Sequence, residues 1–77
     1  MFTLYSTAGC RACQYAKLAF EDYGEEDNVT VVTVADAHHR EALRALYGAK
    51  SFPIVLLDGK YIGGFTELAT LLAERDG

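Results

Sequence analysis

The β-branched run Val29-Thr30-Val31-Val32-Thr33-Val34 constrains the fold more than any other stretch of this chain. Stiff, branched side chains favour extended backbone, and an unbroken run of them suits a strand buried on both faces. A helical pattern precedes it. Ala12, Ala16, Ala19, Phe20 and Tyr23 recur at helical spacing, and Gly24 stands where a helix C-terminus takes its left-handed residue. Earlier still, Phe2 to Tyr5 is a short β-prone run that ends in Ser-Thr-Ala-Gly. Strand, helix and strand in that order form a βαβ unit, which requires two parallel strands and a right-handed crossover.

The second half reads differently. Asp36 can cap a second helix, Leu43, Leu46 and Tyr47 give that helix an apolar stripe, and Gly48 closes it. Ile54 to Leu57 is a third strand. Asp58-Gly59 is a strong hairpin signal, so Lys60 to Ile62 returns antiparallel. A last helix runs from about Glu67, with Leu68, Leu71 and Leu72 facing inward. The order β-α-β-α-β-β-α predicts an α/β protein with a four-stranded mixed sheet flanked by helices.

Length and charge narrow the function. The 77 residues suffice for one domain, residues 1–77. A domain this short buries only about 60% of its unfolded surface, so its core margin is thin. The net charge of −4 argues against nucleic-acid or anionic-membrane binding, which favour a basic face. The acids Glu21, Asp22, Glu25, Glu26 and Asp27 read as a solvated helix end and turn. No segment approaches the roughly 18–20 apolar residues of a membrane span. Met1 to Ser6 has neither the basic region nor the apolar stretch of a signal peptide, so a cytoplasmic location is expected.

In a reducing cytosol, two cysteines three positions apart are a poor structural staple. Cys10-Arg11-Ala12-Cys13 lies just after the first strand and opens the first helix, where such a pair reads as a redox motif. Two intervening residues in a helical turn let the sulfurs bond while the first stays outward. At a helix N-terminus, unpaired N–H groups and the helix dipole favour the thiolate, the nucleophile of disulfide exchange, and Arg11 adds a neighbouring cation. Two other readings remain open. Half of a zinc site needs further ligands, and the only other candidates, His38 and His39, are adjacent on a helix and point about 100° apart. That pair reads as ordinary helix surface, and no metal is expected. Two buried, inert cysteines are the other alternative.

Three separated segments make this chain resemble the glutaredoxins over nearly all its length. They are Cys10 to Cys13 followed by Ala16 and Lys17; Ser51-Phe52-Pro53 before a strand, similar to the family's Thr-Val-Pro; and Ile62-Gly63-Gly64-Phe65-Thr66-Glu67-Leu68, similar to the family's Ile-Gly-Gly segment. The Gly63-Gly64 pair favours glutaredoxin over thioredoxin proper. The resemblance implies a minimal thioredoxin-like fold with a cis bond before Pro53 and that loop packed beside the cysteines. It further implies a glutathione site built from Arg11, Lys50, Ser51, Phe52, Pro53, Gly64, Phe65 and Thr66. Within it, the Phe52 backbone pairs with the peptide, Lys50 faces the glycyl carboxylate, and the last helix N-terminus takes the γ-glutamyl carboxylate with the Thr66 hydroxyl nearby. Each segment also has a plain reading: a proline opening an edge strand, turn glycines, a solvated lysine. The chain departs from the family in two places. Arg11 and Ala12 stand for the usual proline and tyrosine, and Thr7 and Ala8 occupy the stretch that commonly holds a lysine.

The function implied is a thiol–disulfide oxidoreductase whose catalytic pair is Cys10 and Cys13. Glutathione is then a co-substrate, with no tightly bound cofactor. The expected partners are glutathione and disulfide-containing proteins such as ribonucleotide reductase, and the expected state is a monomer. The alternative function is a glutathione-assisted iron–sulfur cluster carrier, in which two chains each supply Cys10.

Overall fold

The computed structural model describes residues 1–76; Gly77, the last residue of the expected domain, lies outside the described residues. Along the chain come β1 (Phe2–Ser6), α1 (Arg11–Asp22), a 3-10 turn (Glu26–Asn28), β2 (Val29–Thr33), α2 (Ala37–Tyr47), β3 (Ile54–Leu57), β4 (Lys60–Gly63) and α3 (Phe65–Asp76). One four-stranded sheet holds all the strands in the order β2-β1-β3-β4. β1 and β2 run parallel from the pair Phe2 and Val29 to the pair Ser6 and Thr33, as a βαβ unit requires. β3 runs antiparallel to both β1 and β4, so the sheet is mixed.

The pleat of the central strands sorts side chains into two cores. Phe2 and Leu4 of β1 and Val55 of β3 meet Ala16 and Phe20 of α1 and Leu68 and Leu72 of α3. On the other face Ile54 and Leu56 of β3 meet Val34, Ala49 and Leu43 of α2, with Tyr5, Val32, Tyr47 and Phe52 packed against them. Two helices thus cover one face and one covers the other. Full burial of a large apolar side chain contributes roughly 1.5–3 kcal/mol, and Phe2, Phe20, Leu68 and Leu72 are each 1% exposed or less.

Local signals explain the element ends. Asp36 caps α2, its carboxylate accepting from the His38 N–H at 3.1 Å, and Gly48 closes that helix in the left-handed conformation. Asp58 (φ 51°) and Gly59 (φ 84°) form the two-residue turn between Leu57 and Lys60, and both carry the positive φ of a type I′ hairpin. The N-terminal ammonium donates to the Asp58 carboxylate at 2.8 Å and holds that carboxyl below its ordinary range. At the far end of this hairpin Val55 pairs with Gly63 and Leu56 with Tyr61, which leaves Ile62 as the extra residue of a bulge.

Three expectations need correction. β2 is not buried on both faces. It is the edge strand beyond β1, and Thr30, Val31 and Thr33 are exposed, Val31 to 44%. β-branching reports fitness for a pleated backbone and says nothing of a strand's place in the sheet. Leu46 is 71% exposed, because Leu43 and Tyr47, one turn apart, carry the contact of α2 with the sheet. Finally, α3 begins at Phe65, two residues before Glu67. Glu67 is the third residue of its first turn, and its carboxylate accepts from the Gly64 N–H at 2.8 Å. Leu68 N–H bonds the Gly64 carbonyl as the first bond of the helix, so Gly64 is the N-cap and Glu67 supplies the side-chain half of a capping box.

Among the described residues, no helix is long and apolar enough to cross a membrane.

Candidate active site

β1 ends under the N-terminus of α1, and the loop between them delivers Cys10 to the helix as its N-cap. Its backbone is still extended (φ −96°, ψ 108°), while its carbonyl already accepts the Gln14 N–H at 3.2 Å. Its sulfur takes the place of a capping oxygen, accepting from the Cys13 N–H at 3.1 Å. No acidic residue stands in the first turn of α1 to oppose a negative charge there. Cys13, one turn further on, is one of the buried residues of α1. The two sulfurs are disulfide-bonded across a Cα separation of 5.2 Å, so the structure is the oxidised form. Cys13 is 0% exposed, whereas Cys10 is only half-buried.

The loop before β3 supplies the opposite wall. The Cys10 sulfur lies 3.6 Å from the Phe52 carbonyl oxygen, and the Phe52–Pro53 peptide bond is cis. Pro53 is buried and stands just ahead of β3, a central strand, so it does not open a sheet edge. From this loop a groove of about 430 Å³ extends to the start of α3. Lys50, Ser51, Phe52 and Pro53 line one side, and Gly64, Phe65 and Thr66 line the other. Seven of the eight residues expected to hold glutathione are therefore in one place. Arg11 is the eighth; it is exposed and does not line this groove.

Sequence reasoning missed four residues here, Ala12, Gly48, Tyr61 and Glu67. Glu67 carried a usable signal, since an N-cap residue followed three places later by glutamate marks a helix start. Tyr61 carried none; its ring lies 5.8 Å from that of Tyr47, and the two come together only through the sheet. A second groove, of about 280 Å³, runs from Cys10 along α2 and is lined by Thr7, Arg40, Glu41 and Arg44 as well as Lys50, Ser51 and Phe52. His38 and His39 are exposed near the start of α2, and among the described residues no three of His, Cys, Asp and Glu converge as a metal site.

A parallel βαβ unit with a half-exposed cysteine capping its helix, a buried partner one turn on and a proline loop against the sulfur defines the thioredoxin-like disulfide oxidoreductases. Comparison narrows the class. The sequence model of the glutaredoxin family matches residues 2–62, and the chain belongs to that family. It is a glutaredoxin-type disulfide oxidoreductase. Among solved structures, oxidised glutaredoxin 2 from Chlamydomonas reinhardtii superposes with a TM-score of 0.77 at 26% identity, over 96% of this chain and 72% of that one. Glutaredoxin 1 from Francisella tularensis, complexed with cacodylate, gives 0.70 at 25% identity over 97% and 93%. Reduced glutaredoxin from Escherichia coli gives 0.67 at 26% identity over 99% and 98%. No curated protein sequence matches the chain.

Proposed function

We propose that the chain reduces glutathione mixed disulfides and protein disulfides through Cys10 and Cys13, with glutathione as its reductant. The observation that carries this reading is the groove between Lys50–Pro53 and Gly64–Thr66, which ends against the loop that touches the Cys10 sulfur. Glutathione is a short extended peptide with a carboxylate at each end and one ammonium. Lys50 offers a cation for the glycyl carboxylate. The first-turn N–H groups of α3 and the Thr66 hydroxyl suit the γ-glutamyl carboxylate, and Glu67 suits the ammonium. Each such charge-assisted bond contributes about 1.5–3 kcal/mol where it is shielded from water.

In the reduced chain the Cys10 thiolate attacks the glutathione sulfur of a mixed disulfide. A Cys10–glutathione bond forms, the bond to the target sulfur breaks, and the target leaves as a thiolate that takes a proton. A second glutathione thiolate then attacks the bound glutathione sulfur, which releases glutathione disulfide and restores Cys10. With a protein disulfide, Cys10 first bonds one substrate sulfur. Cys13 then displaces it, leaving the Cys10–Cys13 disulfide, and two glutathione thiols supply the electrons that reopen it. A ribonucleotide reductase disulfide is one substrate of this kind. The cycle consumes thiols, which fits a reducing compartment such as the cytoplasm.

The test is a coupled assay on a mixed disulfide of glutathione and a small thiol, following NADPH with glutathione reductase. Turnover is expected, and Lys50→Ala is expected to raise KM more than it lowers kcat. Turnover with thioredoxin reductase but none with glutathione would overturn the choice of reductant. Chemical-shift mapping that moved only residues far from both groove walls would overturn the site.

A further inference from the structure

We infer that the Ser6 hydroxyl is the buried hydrogen-bond partner of the Cys13 sulfur in the reduced chain, and that it assists the step in which Cys13 resolves a mixed disulfide. This role rests on the oxidoreductase reading above and adds a residue to its resolving step.

Among the described residues, Ser6 is the one polar residue that is buried as a whole, at 1% exposed. It ends the buried stripe of β1, whose other members are Phe2 and Leu4. In the oxidised structure its hydroxyl is shut off from solvent and has no partner among the described residues. A buried hydroxyl left unpaired is destabilising, so in this redox state alanine would suit the strand better. The serine is accounted for if the reduced state gives it a partner.

The topology brings one such partner to its level. The buried residues of α1 are Cys13, Ala16 and Phe20, which share one helical face. Ala16 and Phe20 pack with Phe2 and Leu4, and the Phe2 and Phe20 ring centroids lie 5.1 Å apart. From that contact β1 climbs four residues to Ser6, about 13 Å. α1 runs back beside it over seven residues to Cys13, about 10.5 Å. Only residues 7–10 join the two elements at this end. The stripe of β1 and the buried face of α1 therefore end together, with Ser6 on one and Cys13 on the other.

Chemistry gives the pair a use in one redox state only. Bonded to Cys10, the Cys13 sulfur is neutral and a weak acceptor. As a thiolate it is a strong one, and its burial makes a donor matter, because apolar surroundings disfavour the charge. In resolution Cys13 gives up its proton to solvent and its sulfur bonds Cys10. The bond from Cys10 to the substrate sulfur breaks, and the substrate leaves as a thiolate that takes a proton. Ser6 donates to the Cys13 sulfur while charge gathers there and keeps its own proton. In the reverse sense, a thiol that opens the disulfide at Cys10 expels the Cys13 thiolate onto the same donor. Ser6 thus favours the reduced pair over the disulfide.

The experiment equilibrates the parent chain, Ser6→Ala and Ser6→Thr with dithiothreitol redox buffers and measures the fraction of Cys10–Cys13 disulfide. Ser6→Ala is expected to shift the equilibrium about tenfold toward the disulfide, which makes the potential about 30 mV more negative. Ser6→Thr keeps the hydroxyl and is expected to stay within about threefold of the parent. In a Cys13→Ser chain, Ser6→Ala is expected to change mixed-disulfide turnover by less than about twofold, because its sulfur partner is gone. A second measurement leaves Ser6 unchanged. In Cys10→Ser, which retains one thiol, the Ser6 Cβ chemical shift is expected to titrate with the same midpoint as the Cys13 Cβ shift. An unshifted equilibrium, an equal loss of turnover in the Cys13→Ser background, or a Ser6 signal that stays flat while Cys13 titrates would overturn the inference. If the equilibrium shifts as expected but the parent reduces no mixed disulfide with glutathione, the proposed function falls and the role of Ser6 stands. If turnover is intact and the equilibrium does not shift, the proposed function stands and the role of Ser6 falls.

Discussion

At Cys10 the backbone turns from extended to helical, and its sulfur receives the N–H that a serine or aspartate oxygen takes at an ordinary helix start. A sulfur in that position gains most from a hydrogen bond when it is charged, so the cap and the thiolate support each other. Cys13 lies within the first turn of α1, and solvent reaches none of it. The two thiols are therefore expected to respond differently to removal. Cys10→Ser abolishes turnover of every disulfide. Cys13→Ser keeps turnover of glutathione mixed disulfides and loses that of protein disulfides that require two thiols. The coupled assay on both substrate types checks this, and activity retained by Cys10→Ser but lost by Cys13→Ser would reverse the roles. The pair was legible in the sequence because a helix opening after a strand gives the first cysteine and the second different surroundings. The Arg40 and Arg44 wall was not legible, because α2 is far from Cys10 along the chain and only the sheet brings them together.

At the scale of elements, the join between β4 and α3 is crowded and a single residue long. Gly63 has φ 130°, and a Cβ built on it would stand 2.5 Å from Glu67 Cγ and 2.7 Å from Glu67 Oε1. Gly63→Ala therefore strains the backbone and drives Glu67 from its bond to the Gly64 N–H. The two effects together cost about 2 kcal/mol or more, which for a chain of this size lowers Tm by roughly 10 °C. Thermal unfolding followed by circular dichroism checks the figure. A variant as stable as the parent would mean that the cap is dispensable. The hairpin before this join was readable from Asp58-Gly59 alone, since few dipeptides tolerate two successive positive φ angles. The start of α3 was not placed correctly, because Glu67 resembles a first helical residue unless the cap it forms with Gly64 is recognised.

For the whole molecule, stability rests on two small cores back to back across one sheet. Leu68 is fully buried where α3, α1 and the sheet meet. Leu68→Ala is expected to cost about 2–5 kcal/mol, a large share of the roughly 5–15 kcal/mol that holds a domain together. Urea unfolding is expected to show a midpoint near or below half that of the parent, and a smaller loss would mean that α1 and α3 close over the gap. Strand order was the part of the architecture least legible beforehand. The run from Val29 to Val34 specifies a strand, but its edge position follows from where β3 inserts, beside β1, and no local pattern records that. The burial of Cys13 also decides a question of isomers. An external thiol that opens the Cys10–Cys13 disulfide has two sulfurs to choose from and so two possible adducts, but it can approach only one of them. The adduct forms on Cys10 whatever the intrinsic acidities of the two thiols, and Cys13 is always the group expelled. The regiochemistry of the reaction is set by packing, and a bulky or a small attacking thiol gives the same single product.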